Sequence, residues 1–274
     1  MPDKPIVAIM YDFDKTLCGE DMQNYSFIPA LGMTPNEFWG ATGKFSEESG
    51  VERILSYMYM MVKLSKEKGI NLTREYLFSL GKDIRYYEGV RTWFKRINDY
   101  GSTKGVRVEH YLISSGNKEI ISGCDIAHEF KEIYACEFHF DKESKLPVWP
   151  KLAINYTAKT QFYLRISKGV LDVKEDNAVN RKSANRRISH QNIVFIGDGM
   201  TDVPIMQLVK KNGGNSIAVY PKNQENKIDY LIEDDRVNFK CSANYRTGSK
   251  LEKIVKLVID QVSVTNEIEK HQEQ

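Results

Sequence analysis

Short apolar runs that end abruptly in polar loops are the feature that most constrains the fold of this chain. Four such segments, rich in valine and isoleucine, occupy residues 6–11, 106–113, 192–198 and 216–220. Continuous apolar runs of this length are typical of parallel strands that are covered on both faces. The sequence therefore predicts a buried parallel sheet.

Helical patterns alternate with these apolar runs. They occupy residues 89–101, 158–169 and 201–214. Alternation of strands and helices is typical of a sheet with helices on both of its faces. We therefore predict an α/β fold with a doubly wound, Rossmann-like parallel sheet.

The segment that follows the first predicted strand has a different pattern, because residues 18–88 are helical in character and contain no comparable apolar run. Thr34 and Glu37 have the spacing of a capping box at a helix start, and Thr73 is a candidate for a second helix cap. An insertion of about 70 residues has the size of a small domain.

These patterns predict a division of the chain into two domains. Residues 1–17 and 89–274 would form the α/β core, and residues 18–88 would form a helical cap inserted after the first strand. The cap leaves the core directly after the polar residues that end this strand.

Composition limits the classes of function. The chain has 274 residues and a net charge of +2, which favours neither a nucleic acid nor a membrane surface as partner. We find no apolar run as long as a membrane span and no pattern of a secretory signal. The four scattered cysteines lack metal-ligand spacing, so we expect reduced thiols in a cytoplasmic protein.

A basic run from Arg181 to Arg187 lies within the polar segment 171–192. It contains no interleaved aromatic residues, so we interpret it as a solvated loop and not as a nucleic-acid patch. The sequence leaves open whether this loop has a role, and it does not define the oligomeric state.

Polar side chains follow three of the predicted strands. They are Asp12 and Asp14 after the first strand, Ser114 and Ser115 after the second, and Asp198 and Asp202 after the third. Lys159 opens the helix before the third strand, whereas the nearby Lys142 and Lys151 do not open an apolar helix. Because ligands of open α/β sheets bind beyond the carboxyl ends of the strands, we expect these groups to converge.

Several carboxylates that share one partly buried site repel one another. A divalent cation with oxygen ligands removes this conflict, and Mg2+ is the expected ion because it needs few protein carboxylates. The ion and Lys159 would form a cationic cradle suited to a phosphate group. Glycines 116, 197 and 199 would allow the backbone to approach the ligand closely.

Four segments resemble, in order, the four motifs of the haloacid dehalogenase (HAD) superfamily. They are DFDKT (12–16), YLISSG (111–116), AKTQFYL (158–164) and GDGMTD (197–202). The helical insertion is similar to the cap that many members carry between the first two motifs. The branch that the chain most resembles is the phosphoserine-phosphatase-like one.

The resemblance implies a role for each matching residue. Asp12 would be the nucleophile that forms an aspartyl-phosphate, and Asp14 would be the general acid and then the general base. Ser114 and Lys159 would hold the phosphoryl oxygens, with Ser115 as the alternative to Ser114 if the strand ends one residue later.

The resemblance also implies a Mg2+ site. Its protein ligands would be the side chains of Asp12 and Asp198 and the backbone carbonyl of Asp14, with Asp202 binding the ion or orienting one of its waters. Thr16 would brace the loop by hydrogen bonds. Because a general acid at Asp14 is useful for an oxygen leaving group but not for a halide, the sequence favours a phosphatase over a dehalogenase.

Three residues near or in the cap are candidates for substrate selection. Asp21, with Glu20 beside it, has the offset from the nucleophile at which phosphoserine phosphatases bind the substrate amine. Arg53 lies off the register of their cap arginine, and Met58 falls about where that arginine would be. The sequence therefore argues against phosphoserine and suggests another small phosphomonoester with an amine or quaternary ammonium group.

The expected function is hydrolysis of a small phosphorylated metabolite by a Mg2+-dependent phosphatase. Two alternatives remain at this point. The same site could serve a phosphotransferase or a phosphoprotein phosphatase, or the chain could be a non-catalytic phosphate-binding protein that retains the fold.

Overall fold

The computed structural model describes residues 4–182 and 186–272. Its strands are β1 (Ile6–Tyr11), β2 (Arg107–Asn117), β3 (Glu132–Phe140), β4 (Pro147–Leu152), β5 (Ile193–Gly197), β6 (Asn215–Tyr220) and β7 (Phe239–Ser242). They form one sheet in the order β4-β3-β2-β1-β5-β6-β7. All neighbouring strands are parallel except β3 and β4, which are antiparallel.

Helices cover this sheet and form the insertion between β1 and β2. The helices before β2 are α1 (Phe27–Ala30), α2 (Pro35–Ser49), α3 (Arg53–Glu67), α4 (Arg74–Leu80) and α5 (Val90–Thr103). Those after β2 are α6 (Lys118–Ser122), α7 (Lys159–Lys168), α8 (Asp176–Asn180), α9 (Val203–Lys211), α10 (Asp229–Glu233) and α11 (Lys250–Gln272).

The predicted α/β class is confirmed. The four predicted apolar strands correspond to β1, β2, β5 and β6, whereas β3, β4 and β7 were not predicted. Strand β3 interrupts its apolar residues with Glu132, Glu137 and His139, and β4 contains two prolines, so neither has a continuous apolar pattern. Strand β2 continues to Asn117, beyond its predicted end at residue 113, because its pairing with β3 resumes there after a register shift.

Strand β1 lies at the centre of the sheet and is buried along its whole length. Its last residue, Tyr11, pairs with Leu112 of β2 and with Ile196 of β5. The chain passes from β1 to β2 on one side, and β5 lies on the other side. This is the point of a doubly wound sheet at which a crevice opens beyond the strand ends.

The insertion contains α1 to α4, and the predicted helix caps are present. The Thr34 hydroxyl accepts the backbone N–H of Glu37, and the Glu37 carboxylate accepts the backbone N–H of Thr34. Thr73 caps α4 by accepting the backbone N–H of Tyr76.

The two segments that connect the insertion to the sheet run side by side. Cys18 and Tyr86 form an isolated antiparallel bridge, and the Tyr87 N–H donates to the Leu17 carbonyl at 2.9 Å. Because the chain leaves the sheet and returns to it through these two paired segments, the contacts support our proposal that residues 18–88 form a cap domain.

The basic segment is held partly by specific contacts. Arg187 donates to both carboxylate oxygens of Glu109, at 2.6 and 2.7 Å, and Arg186 donates to the Ser167 hydroxyl. Residues 183–185 of the predicted basic run lie outside the described residues. In the described part of the chain, no helix combines the length and apolar character that a membrane crossing requires.

A chain of hydrogen bonds with one fixed direction crosses the buried space between α5 and the sheet. Trp93 Nε1–H donates to Tyr11 Oη at 2.8 Å, and the Tyr11 hydroxyl is 2.9 Å from His110 Nδ1. His110 Nε2 lies 3.0 Å from the Asn98 side-chain oxygen. Because burial disfavours the charged ring and the Asn98 oxygen accepts from Nε2–H, we assign His110 as neutral with its proton on Nε2, so that Nδ1 accepts from the Tyr11 hydroxyl.

Burial lowers the pKa of His110 from 6.5 to about 3. The unfolded chain therefore binds one more proton than the folded chain between these values, so acidification below pH 6.5 destabilises the fold. We expect this group to contribute a loss on the order of 4 kcal/mol in the free energy of unfolding between pH 6.5 and 3.

Urea unfolding of wild type and His110→Gln across this pH range measures that contribution. The variant loses the titrating group, so its stability should fall less steeply with acidification than that of the wild type. Parallel pH profiles for the two proteins would contradict the assignment of a neutral, buried imidazole.

Candidate active site

A cavity of about 550 Å³ lies between the carboxyl ends of β1, β2 and β5 and the insertion helices α2 and α3. Its volume is typical of small-molecule sites. Core residues Asp12, Asp14 and Asp198 line one side, and Trp39 and Tyr57 of the insertion line the other. The polar groups that the sequence placed after separate strands are thus brought together.

Lys159 is the buried centre of an ion cluster. Its Nζ donates to Asp12 Oδ1 at 2.8 Å and to Asp202 Oδ1 at 2.6 Å, and its side chain is 1% exposed. Burial by itself would lower the pKa of Lys159, but the charges of Asp12 and Asp202 outweigh burial and hold the pKa above its ordinary value. As predicted, Lys159 is the first residue of its helix, α7.

One ammonium does not neutralise the carboxylates of this cluster. Asp12, Asp198 and Asp202 each offer one oxygen, and these three oxygens lie within 4.8 Å of one another. Burial raises the pKa of Asp12 to about 6, with Lys159 opposing the shift, and burial with the charges of Asp202 and Asp12 raises that of Asp198. These three buried carboxylates still repel one another, and their oxygens are the ligands that a hard divalent cation prefers. The cluster therefore fits such a cation.

Asp14 lies at the cavity in a different environment. Its Oδ1 accepts the backbone N–H of Met22 at 2.7 Å, which fixes the carboxyl group. Burial, reinforced by the charges of Asp21 and Asp12, raises the pKa of Asp14 well above its ordinary value. A carboxyl group that retains its proton to higher pH is suited to donate it.

Two glycines allow the close packing of this site. A Cβ on Gly197 would lie 2.4 Å from Asp202 Oδ2, and a Cβ on Gly116 would lie 2.0 Å from Met22 Cε and 3.0 Å from Asp14 Oδ2. Gly199 was also expected to allow a close approach of the backbone. A Cβ on Gly199 would meet no described atom within 4 Å, so the packing there does not require glycine.

The two candidate serines have different surroundings. Ser114 is fully buried and its hydroxyl accepts the Gly116 N–H at 3.0 Å. Ser115 lines the cavity, and its hydroxyl has no hydrogen-bond partner among the described residues. The Tyr57 hydroxyl donates to the Ser115 carbonyl at 2.7 Å and so ties this backbone to α3.

Thr16 braces the loop through its backbone and not through its hydroxyl. The Thr16 carbonyl accepts the Tyr245 hydroxyl at 2.8 Å, and the Thr16 N–H donates to the Phe13 carbonyl. The Thr16 hydroxyl, which was expected to do this, has no partner among the described residues.

The three candidates for substrate selection separate in the structure. Asp21 and Arg53 line the cavity. Glu20 is exposed, does not line the cavity, and accepts a hydrogen bond from Asn24. Arg53 thus reaches the cavity although it lies off the register of the cap arginine of phosphoserine phosphatases.

Sequence reasoning did not identify several other residues of the cavity wall, among them Thr42 and Tyr156. Thr42 of α2 is 5% exposed, and its hydroxyl has no partner among the described residues. Tyr156, which precedes α7, also lines the cavity. Neither belongs to a motif, and a polar residue on a helix or an aromatic residue in a loop carries no signal of its own.

Comparison with known proteins shows what the chain is similar to. No model of a protein family matches the sequence. An uncharacterized protein of Borreliella burgdorferi is 27% identical over an alignment 272 positions long, and the match covers 90% of this chain and 94% of that protein. A HAD family hydrolase from Salmonella enterica serovar Typhi is 16% identical, with a TM-score of 0.58, and the match covers 88% of this chain and 68% of that one.

The chain therefore has the fold of the HAD hydrolases. A substrate-bound phosphoserine phosphatase matches with a TM-score of 0.58 and 18% identity, over 93% of this chain and 99% of that one. The predicted resemblance to phosphoserine phosphatases is thus confirmed at the level of the fold.

Replacement of Lys159 tests the ion cluster. Lys159→Met leaves Asp12 and Asp202 buried without their ammonium, and removal of one partner of a buried ion pair costs about 3–5 kcal/mol. We expect a loss of this size in the free energy of unfolding, measured by urea titration at pH 7 without added metal. Lys95→Met is the matched control, because Lys95 forms an exposed pair with Asp99 that is worth about 1 kcal/mol or less. Equal losses in the two variants would contradict the buried cluster.

Proposed function

We propose that the chain is a Mg2+-dependent phosphatase that hydrolyses a small phosphomonoester through an aspartyl-phosphate intermediate. The observation that carries this proposal is the placement of Asp12 at the floor of the cavity, bonded to buried Lys159, with Asp14 held separately beside it. The HAD fold adds to the proposal, because the phosphoserine phosphatases that share it act on a phosphomonoester.

The metal would be held by Asp12, Asp198 and Asp202 together with the backbone carbonyl of Asp14. The mutual distance of the three side-chain oxygens supports this ligand set. When bound, Mg2+ would neutralise charge on the carboxylates and on the phosphoryl oxygens.

Asp12 is the proposed nucleophile. One of its carboxylate oxygens forms a bond to phosphorus while the bond from phosphorus to the ester oxygen breaks. Lys159 orients the Asp12 carboxylate through the contact at 2.8 Å and lies close enough to stabilise negative charge on the transferred group.

Asp14 is the proposed proton carrier. It gives its proton to the leaving ester oxygen and then, as a carboxylate, takes a proton from the water that attacks the aspartyl-phosphate. Its raised pKa supports the first task, and its hydrogen bond from the Met22 N–H keeps it in one position for both.

Ser115 is the proposed ligand of a phosphoryl oxygen. Ser115 lines the cavity and its buried hydroxyl has no partner among the described residues, whereas Ser114 does not line the cavity. Both hydroxyls keep a free O–H donor, because Ser114 only accepts from the Gly116 N–H, so the position of Ser115 at the cavity decides the choice.

Hydrolysis of para-nitrophenyl phosphate tests the mechanism. We expect activity with Mg2+, loss of activity with EDTA, and a fall in kcat of about 10³-fold or more in Asp12→Asn, because the nucleophile is removed. Asp99→Asn, an exposed substitution on α5, is the control and should retain activity. Activity that survives both EDTA and Asp12→Asn would refute the proposal.

The two serines can be separated by kinetics. Ser115→Ala should lower kcat/KM for para-nitrophenyl phosphate by about 10²-fold, the effect of removing one donor to a charged transition state. Ser114→Ala should change kcat/KM much less, because Ser114 is fully buried and does not line the cavity. The reverse order of the two effects would assign the phosphate contact to Ser114.

A further inference from the structure

An ion pair supplied by the chain itself occupies the wall of the cavity at Asp21. Lys15 Nζ lies 2.8 Å from Oδ1 and 2.8 Å from Oδ2 of Asp21, and both residues line the cavity. Each oxygen of this carboxylate therefore already accepts from an ammonium. A substrate ammonium that approached Asp21 would have to displace Lys15 and would be repelled by its charge.

The insertion presents the opposite chemistry to the same cavity. Arg53, the first residue of α3, lines the cavity, and no carboxylate of the described residues lies within ion-pair distance of its guanidinium. Thr42 of α2 lies on the same side, and its buried hydroxyl also has no partner among the described residues. A planar guanidinium and a free hydroxyl are both donors to oxygen anions.

The remaining charges of the cavity are already assigned. Lys159 is paired with Asp12 and Asp202, and Lys15 is paired with Asp21. The proposed metal takes up the carboxylate of Asp198, and Asp14 is the proposed proton carrier. Among the described residues of the cavity, the guanidinium of Arg53 is the charge left to face a leaving group.

We propose that the cavity selects a phosphomonoester whose leaving group carries an anionic group, such as a carboxylate, and that Lys15 excludes leaving groups with an ammonium. This inference rests on the proposed phosphatase function and defines its substrate class. It replaces the sequence-based hypothesis of an amine bound by Asp21 or Glu20, because the structure gives Asp21 an internal counter-ion and leaves Glu20 outside the cavity.

The first arm of the test compares two esters with the same three-carbon skeleton. We expect the wild type to have about tenfold higher kcat/KM for 3-phosphoglycerate than for glycerol 3-phosphate, since one charged contact is worth about 1.4 kcal/mol or more. Arg53→Met should remove this preference, whereas Arg91→Met, which alters an exposed pair with Asp125, should retain it.

The second arm tests the role of Lys15 as an internal counter-ion. Lys15→Met exposes the Asp21 carboxylate, so the ratio of kcat/KM for phosphoethanolamine to that for 2-hydroxyethyl phosphate should rise about tenfold. Lys15→Arg keeps the charge and should leave the ratio low. The double variant Lys15→Met/Asp21→Asn should lose the gain, which shows that the gain depends on the Asp21 charge and not on added space.

Binding measurements separate this inference from the proposed function. Calorimetry with Asp12→Asn and Mg2+ reports the preference for 3-phosphoglycerate over glycerol 3-phosphate without turnover. A wild type that hydrolyses none of these esters while this binding preference holds would overturn the phosphatase proposal alone. A wild type that prefers phosphoethanolamine, or a Lys15→Met ratio equal to that of wild type, would overturn the inference.

Discussion

The contact between the Lys159 ammonium and the carboxylates of Asp12 and Asp202 is the interaction on which the rest of the site depends. It joins the ends of three elements, β1, α7 and the turn after β5, in a buried region of the protein. Two carboxylates and an ammonium are costly to bury, and their mutual attraction offsets that cost when the geometry is good. A Cβ at Gly197 would occupy the space that Asp202 needs, so the backbone is shaped for this cluster.

The same cluster gives Asp12 surroundings that differ from those of Asp14. Asp12 lies directly beside the Lys159 ammonium, whereas Asp14, two residues later, bonds to a neutral backbone N–H. The pKa of Asp12 is raised to about 6 by burial with the Lys159 charge opposing it, and that of Asp14 is raised with additional repulsion from Asp21 and Asp12. Different surroundings for two nearby carboxyl groups suit one to attack and the other to carry a proton.

The insertion supplies the other half of the cavity. The Tyr57 hydroxyl of α3 donates to the Ser115 carbonyl, so the insertion and the end of β2 are linked by a direct contact. Arg53, Thr42 and the Lys15–Asp21 pair line this cavity. Selection of the leaving group would thus depend on residues outside the motifs, which is consistent with a fold that supports many substrates.

The sequence by itself determined the fold class, the central strands and the positions of Asp12, Asp198 and Lys159, because apolar runs and the residues that end them are local patterns. Only the tertiary structure decided the rest. Strands β3 and β4 are mixed in polarity and are stabilised by pairing with neighbours distant in sequence. The surroundings of Ser114 and Ser115 depend on how β2 continues past residue 113, and the position of Arg53 depends on how α3 packs over the sheet edge. The pairing of Asp21 with Lys15 depends on the path of the loop between them, and spacing along the chain does not specify that path.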